Sequence, residues 1–165
     1  MSRPHALLRA GFPYVKTLGM RFVTDFPVDV AIGGHDVLYV LCRYKVDGDF
    51  LIRKLTYDDE DLGTIGTLGT GDGSCVWPVA IIADREDNLY VSDEASHRIA
   101  MFSRDGEYLG KWGEEGDGDG QFNRPSGMAF DPEGNIYVVD SLNHRVQKYT
   151  RDGKFLMGWG GFGDG

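Results

Sequence analysis

The fold is decided by a block that the chain contains twice, WPVAIIADREDNLYVSDEASHRIAMFSRDGEYLGKWG at residues 77–113 and RPSGMAFDPEGNIYVVDSLNHRVQKYTRDGKFLMGWG at residues 124–160. The two copies are 47 residues apart, which is the offset between Asp93 and Asp140. A sequence period of this length is typical of repeat architectures, in which each small unit buries its apolar face against the next copy. The repeat therefore predicts a series of similar packed units.

Each copy is predicted to form four short antiparallel β-strands. In the later copy the strands are residues 126–130, 136–139, 145–149 and 155–159, and in the earlier copy they are residues 79–83, 89–92, 99–102 and 108–112. Turn-forming residues separate the first pair at 131–135 and the last pair at Asp152-Gly153. Apolar and polar residues alternate with a period of two within the third strand. A four-stranded meander that recurs every roughly 40 to 50 residues is typical of a β-propeller blade.

A weaker copy precedes these two. Residues 27–31, 38–40 and 62–66 match the first, second and fourth strands, and an insertion is predicted near residues 43–49. We therefore predict one propeller segment over residues 1–165, whose parts are an extra N-terminal strand and connector at 12–26, blades at 27–77, 78–124 and 125–160, and a connector at 161–165 to an absent blade.

Three segments of the later copy resemble the NHL repeat, a blade type of β-propellers: Gly120–Gly127, Gly134–Asp140 and Asn143–Gln147. The resemblance implies a closed ring of about six blades. Three blades cannot close such a ring, and an open arc would expose two apolar blade faces. We therefore predict a homodimer in which blade 1 of each chain meets blade 3 of the other. The alternative is that the chain is half of a longer propeller.

Composition limits the partners. The 17 basic and 26 acidic residues give a net charge of −9, and no basic patch interrupts it, which disfavours binding to nucleic acid or to an anionic membrane. No apolar run approaches the roughly 18 residues of a membrane span. Cys42 and Cys75 are too few for a disulfide framework and are predicted to be reduced, so we expect a cytoplasmic protein.

The repeated polar residues have a structural and a binding interpretation. The candidate binding residues are Asp29, Asp93, His97, Asp140, Asn143 and His144. The structural repeat motif comprises Asp93, His97, Arg98, Asp140, His144, Arg145, Trp112 and Trp159. We favour the structural role, because each Asp ends a second strand, where it can accept hydrogen bonds from turn amides. The two histidines lie in neighbouring blades, too far apart for one metal ion with bonds of about 2 Å. We predict no catalytic residue, no metal and no cofactor.

The favoured function is a non-catalytic scaffold that recognises a protein or a peptide. We expect its ligand at the loops that leave the inner strands and at the turns between the second and third strands. The alternative is a small-molecule or metal-dependent propeller enzyme, lactonase-like or lyase-like, with its site at the central channel. Lyases that are similar to NHL propellers carry metal-binding histidines after the proline of the inner strand, where this chain has Val28, Val79 and Ser126. Asp29 is the one acidic residue predicted on an inner strand, and it keeps the enzyme alternative open.

Overall fold

The computed structural model describes residues 26–43 and 50–163. The strands in these ranges are β1 (Pro27–Ile32), β2 (Val37–Cys42), β3 (Ile52–Thr56), β4 (Asp61–Ile65), β5 (Thr67–Leu68), β6 (Ser74–Cys75), β7 (Pro78–Ala83), β8 (Leu89–Asp93), β9 (Arg98–Phe102), β10 (Tyr108–Trp112), β11 (Pro125–Phe130), β12 (Ile136–Asp140), β13 (Arg145–Tyr149) and β14 (Phe155–Gly160). A single 3-10 turn, Ser141–Asn143, lies between β12 and β13. Within the described ranges no helix is long and apolar enough to cross a membrane.

Three antiparallel sheets of four strands make up most of the described fold, and β5 and β6 form a short parallel pair. The first sheet has the order β1-β2-β3-β4, the second β7-β8-β9-β10 and the third β11-β12-β13-β14. The first strand of each sheet is called the inner strand here, because β1 lies beside β7 and β7 lies beside β11. The prediction of an all-β fold built from four-stranded antiparallel sheets is confirmed.

The connections within the sheets differ in one place. Nine residues, 43–51, separate β2 from β3, whereas four residues separate β8 from β9 and β12 from β13. Most of the predicted insertion at 43–49 lies outside the described residues. The predicted N-terminal strand at 12–26 also lies outside them, apart from Phe26, as do the last two residues of the predicted connector at 161–165.

The core lies between the sheets in two apolar layers. Between the first and second sheets, Tyr39 and Leu41 pack with Val91 and Phe102. Between the second and third sheets, the buried residues are Tyr90, Ile99, Phe122, Ile136, Val138 and Tyr149. Because side chains alternate along a strand, Val91 of β8 faces the first sheet while Tyr90 faces the third. Each fully buried side chain of this size contributes about 1.5–3 kcal/mol, and the second sheet is apolar on both faces.

The hairpin between β13 and β14 requires a glycine. Gly153 has a φ of +85°, in the left-handed region that favours glycine, and a Cβ at this position would overlap the ring of Trp112. The third sheet can therefore approach the second sheet closely at Trp112. The Asp152-Gly153 turn that the sequence predicts is thus also a packing site between sheets.

Candidate functional site

The loops fall into two groups at opposite ends of the strands. The hairpins that follow the inner strands, at 84–88 and 131–135, lie at one end, which we call the hairpin end. The turns between second and third strands, at 94–97 and 141–144, lie at the other end together with the connectors between sheets, and we call it the connector end. The loops predicted to bind the ligand include both groups. The meander separates them, so they are two distinct surfaces.

Asp140 organises the connector end of the third sheet. Its carboxylate is buried and accepts hydrogen bonds from the backbone N–H of Asn123 (2.6 Å), Asn143 Nδ2 (2.8 Å), Arg145 Nε (2.8 Å) and Gln147 Nε2 (3.0 Å). These donors come from the preceding connector, the turn and the third strand. A buried carboxylate is stable only when it is paired and hydrogen-bonded in this way. Asp140 therefore holds the turn and the connector in a fixed position.

Asp93 is the equivalent residue of the second sheet, and it fixes a tryptophan. Its carboxylate oxygens accept hydrogen bonds from the backbone N–H groups of Val76 and Trp77, each at 2.9 Å. Arg98 Nε lies 3.9 Å from the same carboxylate, and the Arg98 guanidinium donates to the Ser74 carbonyl at 2.9 Å. The buried aspartate therefore sets the backbone position of Trp77 at the connector end.

Asn143 and Arg145 tie the turn of the third sheet to the connector before it. Asn143 Nδ2 donates to the Gly116 carbonyl at 2.8 Å, and the Arg145 guanidinium donates to the carbonyls of Gly118 (2.7 Å) and Gln121 (3.0 Å). Their side-chain donors are thus used within the chain. These hydrogen bonds hold the turn against the connector.

The two histidines end the turns in the left-handed backbone region, each with φ 53°. His97 Nδ1 accepts a hydrogen bond from the backbone N–H of Arg124 at 3.2 Å, and this bond joins the second sheet to the start of the third. An accepting Nδ1 places the proton of neutral His97 on Nε2. The imidazole of His144 has no hydrogen bond among the described residues and meets the edge of the Phe162 ring, with 5.0 Å between centroids.

Asp29 connects two inner strands. One carboxylate oxygen accepts from the N–H of Val30 and the other from the N–H of Ile81 in the next sheet, both at 2.9 Å. Ile81 belongs to the inner strand of the second sheet. One oxygen of Asp29 therefore makes a contact between sheets, and the other accepts a hydrogen bond within its own strand. Over the described residues, no three or more His, Cys, Asp or Glu side chains come together as a set that could hold a metal ion.

A cleft that sequence reasoning missed opens at the connector end between the second and third sheets. It has a volume of about 370 Å³ and is lined by Trp77, Glu94, Ala95, His97 and Arg124. Arg124 Nη1 lies 3.2 Å from Glu94 Oε1, and the Arg124 side chain remains largely exposed. Arg124 has a φ of 58°, an uncommon conformation for a residue other than glycine. Backbone strain of this kind concentrates at functional sites.

Trp77 also borders a second cleft. This cleft measures about 290 Å³, and Phe26, Pro27, Val28 and Arg43 complete its lining. Arg43 Cζ lies 4.8 Å from the centroid of the Trp77 ring, and Arg43 Nε donates to the Pro78 carbonyl at 3.1 Å. The Trp77 side chain stays 46% exposed between the two clefts. We call the combined lining of the two clefts the Trp77 surface.

The sequence contains a signal for this surface. Trp77 and Arg124 each stand directly before the proline that opens an inner strand, and Phe26 holds the same position before Pro27. The sequence reasoning considered the residue after this proline and missed the one before it. A large side chain before the inner-strand proline of each repeat is the sequence feature that indicates this surface.

The thiols lie below the connector end. Cys42 and Cys75 are both buried. Burial, followed by the negative charge of Asp93, raises the pKa of Cys75 to about 12. Cys75 is therefore a protonated thiol at neutral pH, without the reactivity of a thiolate.

The three meanders, with their inner strands side by side, define the class of the protein: it is a segment of a β-propeller. The sequence model of the NHL repeat matches residues 122–149, which run from the second connector through β13. The chain therefore contains an NHL repeat in its third sheet. The resemblance to NHL-repeat propellers seen in the sequence is confirmed.

Similar solved structures share the fold at low sequence identity. Virginiamycin B lyase from Staphylococcus aureus matches with a TM-score of 0.61 and 14% identity over 88% of this chain and 44% of its own. Hydrazine synthase from Kuenenia stuttgartiensis matches with a TM-score of 0.60 and 15% identity over 88% and 37%. A protein of unknown function from Bacteroides thetaiotaomicron matches with a TM-score of 0.59 and 24% identity over 79% and 34%. This chain thus spans less than half the length of each. A comparison with curated proteins gives no match.

Proposed function

We propose that the chain is a non-catalytic recognition scaffold that binds a protein or peptide at the Trp77 surface. The observation that carries this proposal is an exposed tryptophan with a cleft on each side and an arginine beside it in both. Tryptophan and arginine are among the residues that contribute most binding energy at protein interfaces. Asp93 fixes the backbone of Trp77, which lowers the entropy that this residue loses on binding.

Charge indicates the class of ligand. Among the described residues, the lining of the Trp77 surface carries two cations, Arg43 and Arg124, and one carboxylate, that of Glu94, which pairs with Arg124. The chain as a whole has a net charge of −9. The local excess of positive charge attracts an anionic segment, while the rest of the molecule repels long polyanions such as nucleic acid. The proposed ligand is therefore a peptide segment with acidic side chains and an apolar residue to contact Trp77.

The enzyme alternative has weaker support. The similarity to a lyase at 14% identity reflects the fold, and a propeller fold hosts many functions. The inner-strand carboxylate, Asp29, bonds two backbone amides with its two oxygens. These contacts favour a structural role for Asp29 over the binding of a substrate or metal.

Selection from a random peptide library displayed on phage tests the proposal. Peptides selected on the wild-type protein are expected to be acidic, and Trp77→Ala is expected to raise their Kd at least about tenfold, which is about 1.4 kcal/mol. Leu109→Ala, at an exposed position of β10, is the matched control and leaves the Kd unchanged. The thermal unfolding temperature of each variant checks its folding. Failure to select any peptide, or selected peptides that bind Trp77→Ala as well as wild type, would refute this function.

The scaffold is proposed to close into a six-bladed ring with a second copy of the same chain. The support is that the outward faces of the first and third sheets both expose large apolar side chains, including Ile32 and Trp159. Soluble monomers rarely leave two such surfaces open. Sedimentation is expected to give twice the chain mass of 18.3 kDa at micromolar concentration. A single-chain mass under these conditions would overturn ring closure without affecting the peptide experiment.

A further inference from the structure

One face of the third sheet is covered by no other sheet among the described residues. The side chains on this face are Tyr137, Val139, Val146, Lys148, Met157 and Trp159. The rings of Tyr137 and Trp159 stack, with 5.6 Å between centroids and 9° between planes, and Trp159 is 44% exposed. An apolar surface of this kind, with two aromatic anchors, is typical of an interaction site.

The corresponding face of the second sheet shows what such a surface receives. Its residues at the same repeat positions include Tyr90 and Trp112, and both pack against the third sheet. Tyr90 meets Phe130 edge to face at 5.4 Å between centroids, and Trp112 lies 4.6 Å from Tyr149. Tyr90 is consequently only 5% exposed. Tyr137 and Trp159 therefore repeat the aromatic pair Tyr90 and Trp112. That earlier pair packs against the facing side of the next sheet.

The first sheet offers a matching surface on the opposite side of the molecule. Ile32 pairs with Leu38 at the end of β1, as Phe130 pairs with Ile136 at the end of β11, so Ile32 holds the repeat position of Phe130. Ile32 is 69% exposed and Val30, two residues earlier on the same face, is 51% exposed. Leu38 is buried, so the open part of this face is the inner strand.

We propose that Tyr137 of one copy packs on Ile32 of a second copy, in the way that Tyr90 packs on Phe130 within the chain. The inference rests on the proposed ring closure and specifies the contact that makes it. The occupant is a second copy because one chain carries both sides of the contact. Tyr137 holds the repeat position of Tyr90, and Ile32 holds that of Phe130, which Tyr90 contacts within the chain. Two-fold symmetry then makes the two junctions of the ring identical.

Cysteine cross-linking tests the contact directly. The double variant Ile32→Cys with Tyr137→Cys is expected to form a covalent dimer with a bismaleimide reagent that spans about 10 Å, the separation of packed sheets, and each single variant alone is expected to stay uncrosslinked at these positions. Mixing the two single variants is expected to give one cross-linked heterodimer. The native thiols, Cys42 and Cys75, are buried and leave the background low. Ile32 and Tyr137 lie on opposite outer sheets, so a bond between them within one chain is excluded by the sheets between them.

A charge substitution supplies the energetic test. Ile32→Arg is expected to raise the Kd of the dimer at least about tenfold, since a charge would be buried without a partner. Leu109→Arg, on an exposed position of β10, is the matched control and leaves the Kd unchanged. A wild-type monomer would overturn both ring closure and this contact. If the wild type is a dimer, but the double cysteine variant does not cross-link and Ile32→Arg leaves the dimer Kd unchanged, the contact alone is overturned.

Discussion

Removal of the Asp140 carboxylate is expected to destabilise the third sheet more than any exposed substitution. Asp140→Ala eliminates four hydrogen bonds and leaves the backbone N–H of Asn123 and the largely buried guanidinium of Arg145 without their acceptor. Breaking one side of a buried ion pair costs about 3–5 kcal/mol. Arg145 keeps its bonds to the carbonyls of Gly118 and Gln121, which places the cost near the lower value. We therefore expect a loss of about 3 kcal/mol in the free energy of unfolding.

Thermal unfolding followed by circular dichroism measures this loss. For a chain of this length a change of 1 kcal/mol shifts Tm by about 2–4 °C, so Asp140→Ala is expected to lower Tm by about 6–12 °C. Asp105→Ala is the control, because this carboxylate is exposed and its removal is expected to change stability by less than about 0.5 kcal/mol. A Tm of Asp140→Ala within about 2 °C of wild type would refute the structural role of this network.

Two further predictions concern the carboxyl group of Asp131 and the two cysteine thiols. Burial alone would raise the pKa of Asp131, but hydrogen bonds from Lys148 and Asn135 lower it well below its ordinary value. A carboxyl group whose pKa is lower in the folded state than in the unfolded state stabilises the fold at pH values above its unfolded pKa. The difference in unfolding free energy between wild type and Asp131→Asn is therefore expected to shrink as the pH falls below about 4. Urea titrations that show a constant difference from neutral pH to pH 3 would contradict this. Because Cys42 and Cys75 are buried and the pKa of Cys75 is raised to about 12, an aromatic disulfide reagent is expected to label neither thiol until urea unfolds the chain. Rapid labelling in native buffer would show that the connector end opens.

The strands of the second and third sheets were predictable because two local signals agree there. Alternation of apolar residues and turn pairs such as Asp152-Gly153 define each strand within a few residues of its observed bounds. The first sheet was harder to predict, because its third strand, Ile52–Thr56, follows a longer loop and lacks the Asn-His-Arg element that marks this strand in the third sheet.

The repeated position before the inner-strand proline marks Trp77 in the sequence, but the exposure of its side chain could not be derived from that pattern. Its surroundings form only on folding: Asp93 accepts a hydrogen bond from the backbone N–H of Trp77, and Arg43 from the first sheet covers part of the Trp77 ring. His97 was found as a repeated residue, but its bond to the amide of Arg124 appears only when two sheets are packed together.

The pairing of strands within each sheet has a consequence for how the molecule loses its structure. Over the described residues, strands pair with their neighbours in sequence, and the first and third sheets both pack on the second, so cooperativity passes along the chain from sheet to sheet. The second sheet is covered on both sides, and all five residues of its strand Leu89–Asp93 are buried. Fluctuations that open the protein locally will therefore begin in the two outer sheets, whose apolar faces are in part uncovered, and reach Leu89–Asp93 last. In a closed ring this difference between middle and outer sheets would disappear, because every sheet would then have two neighbours.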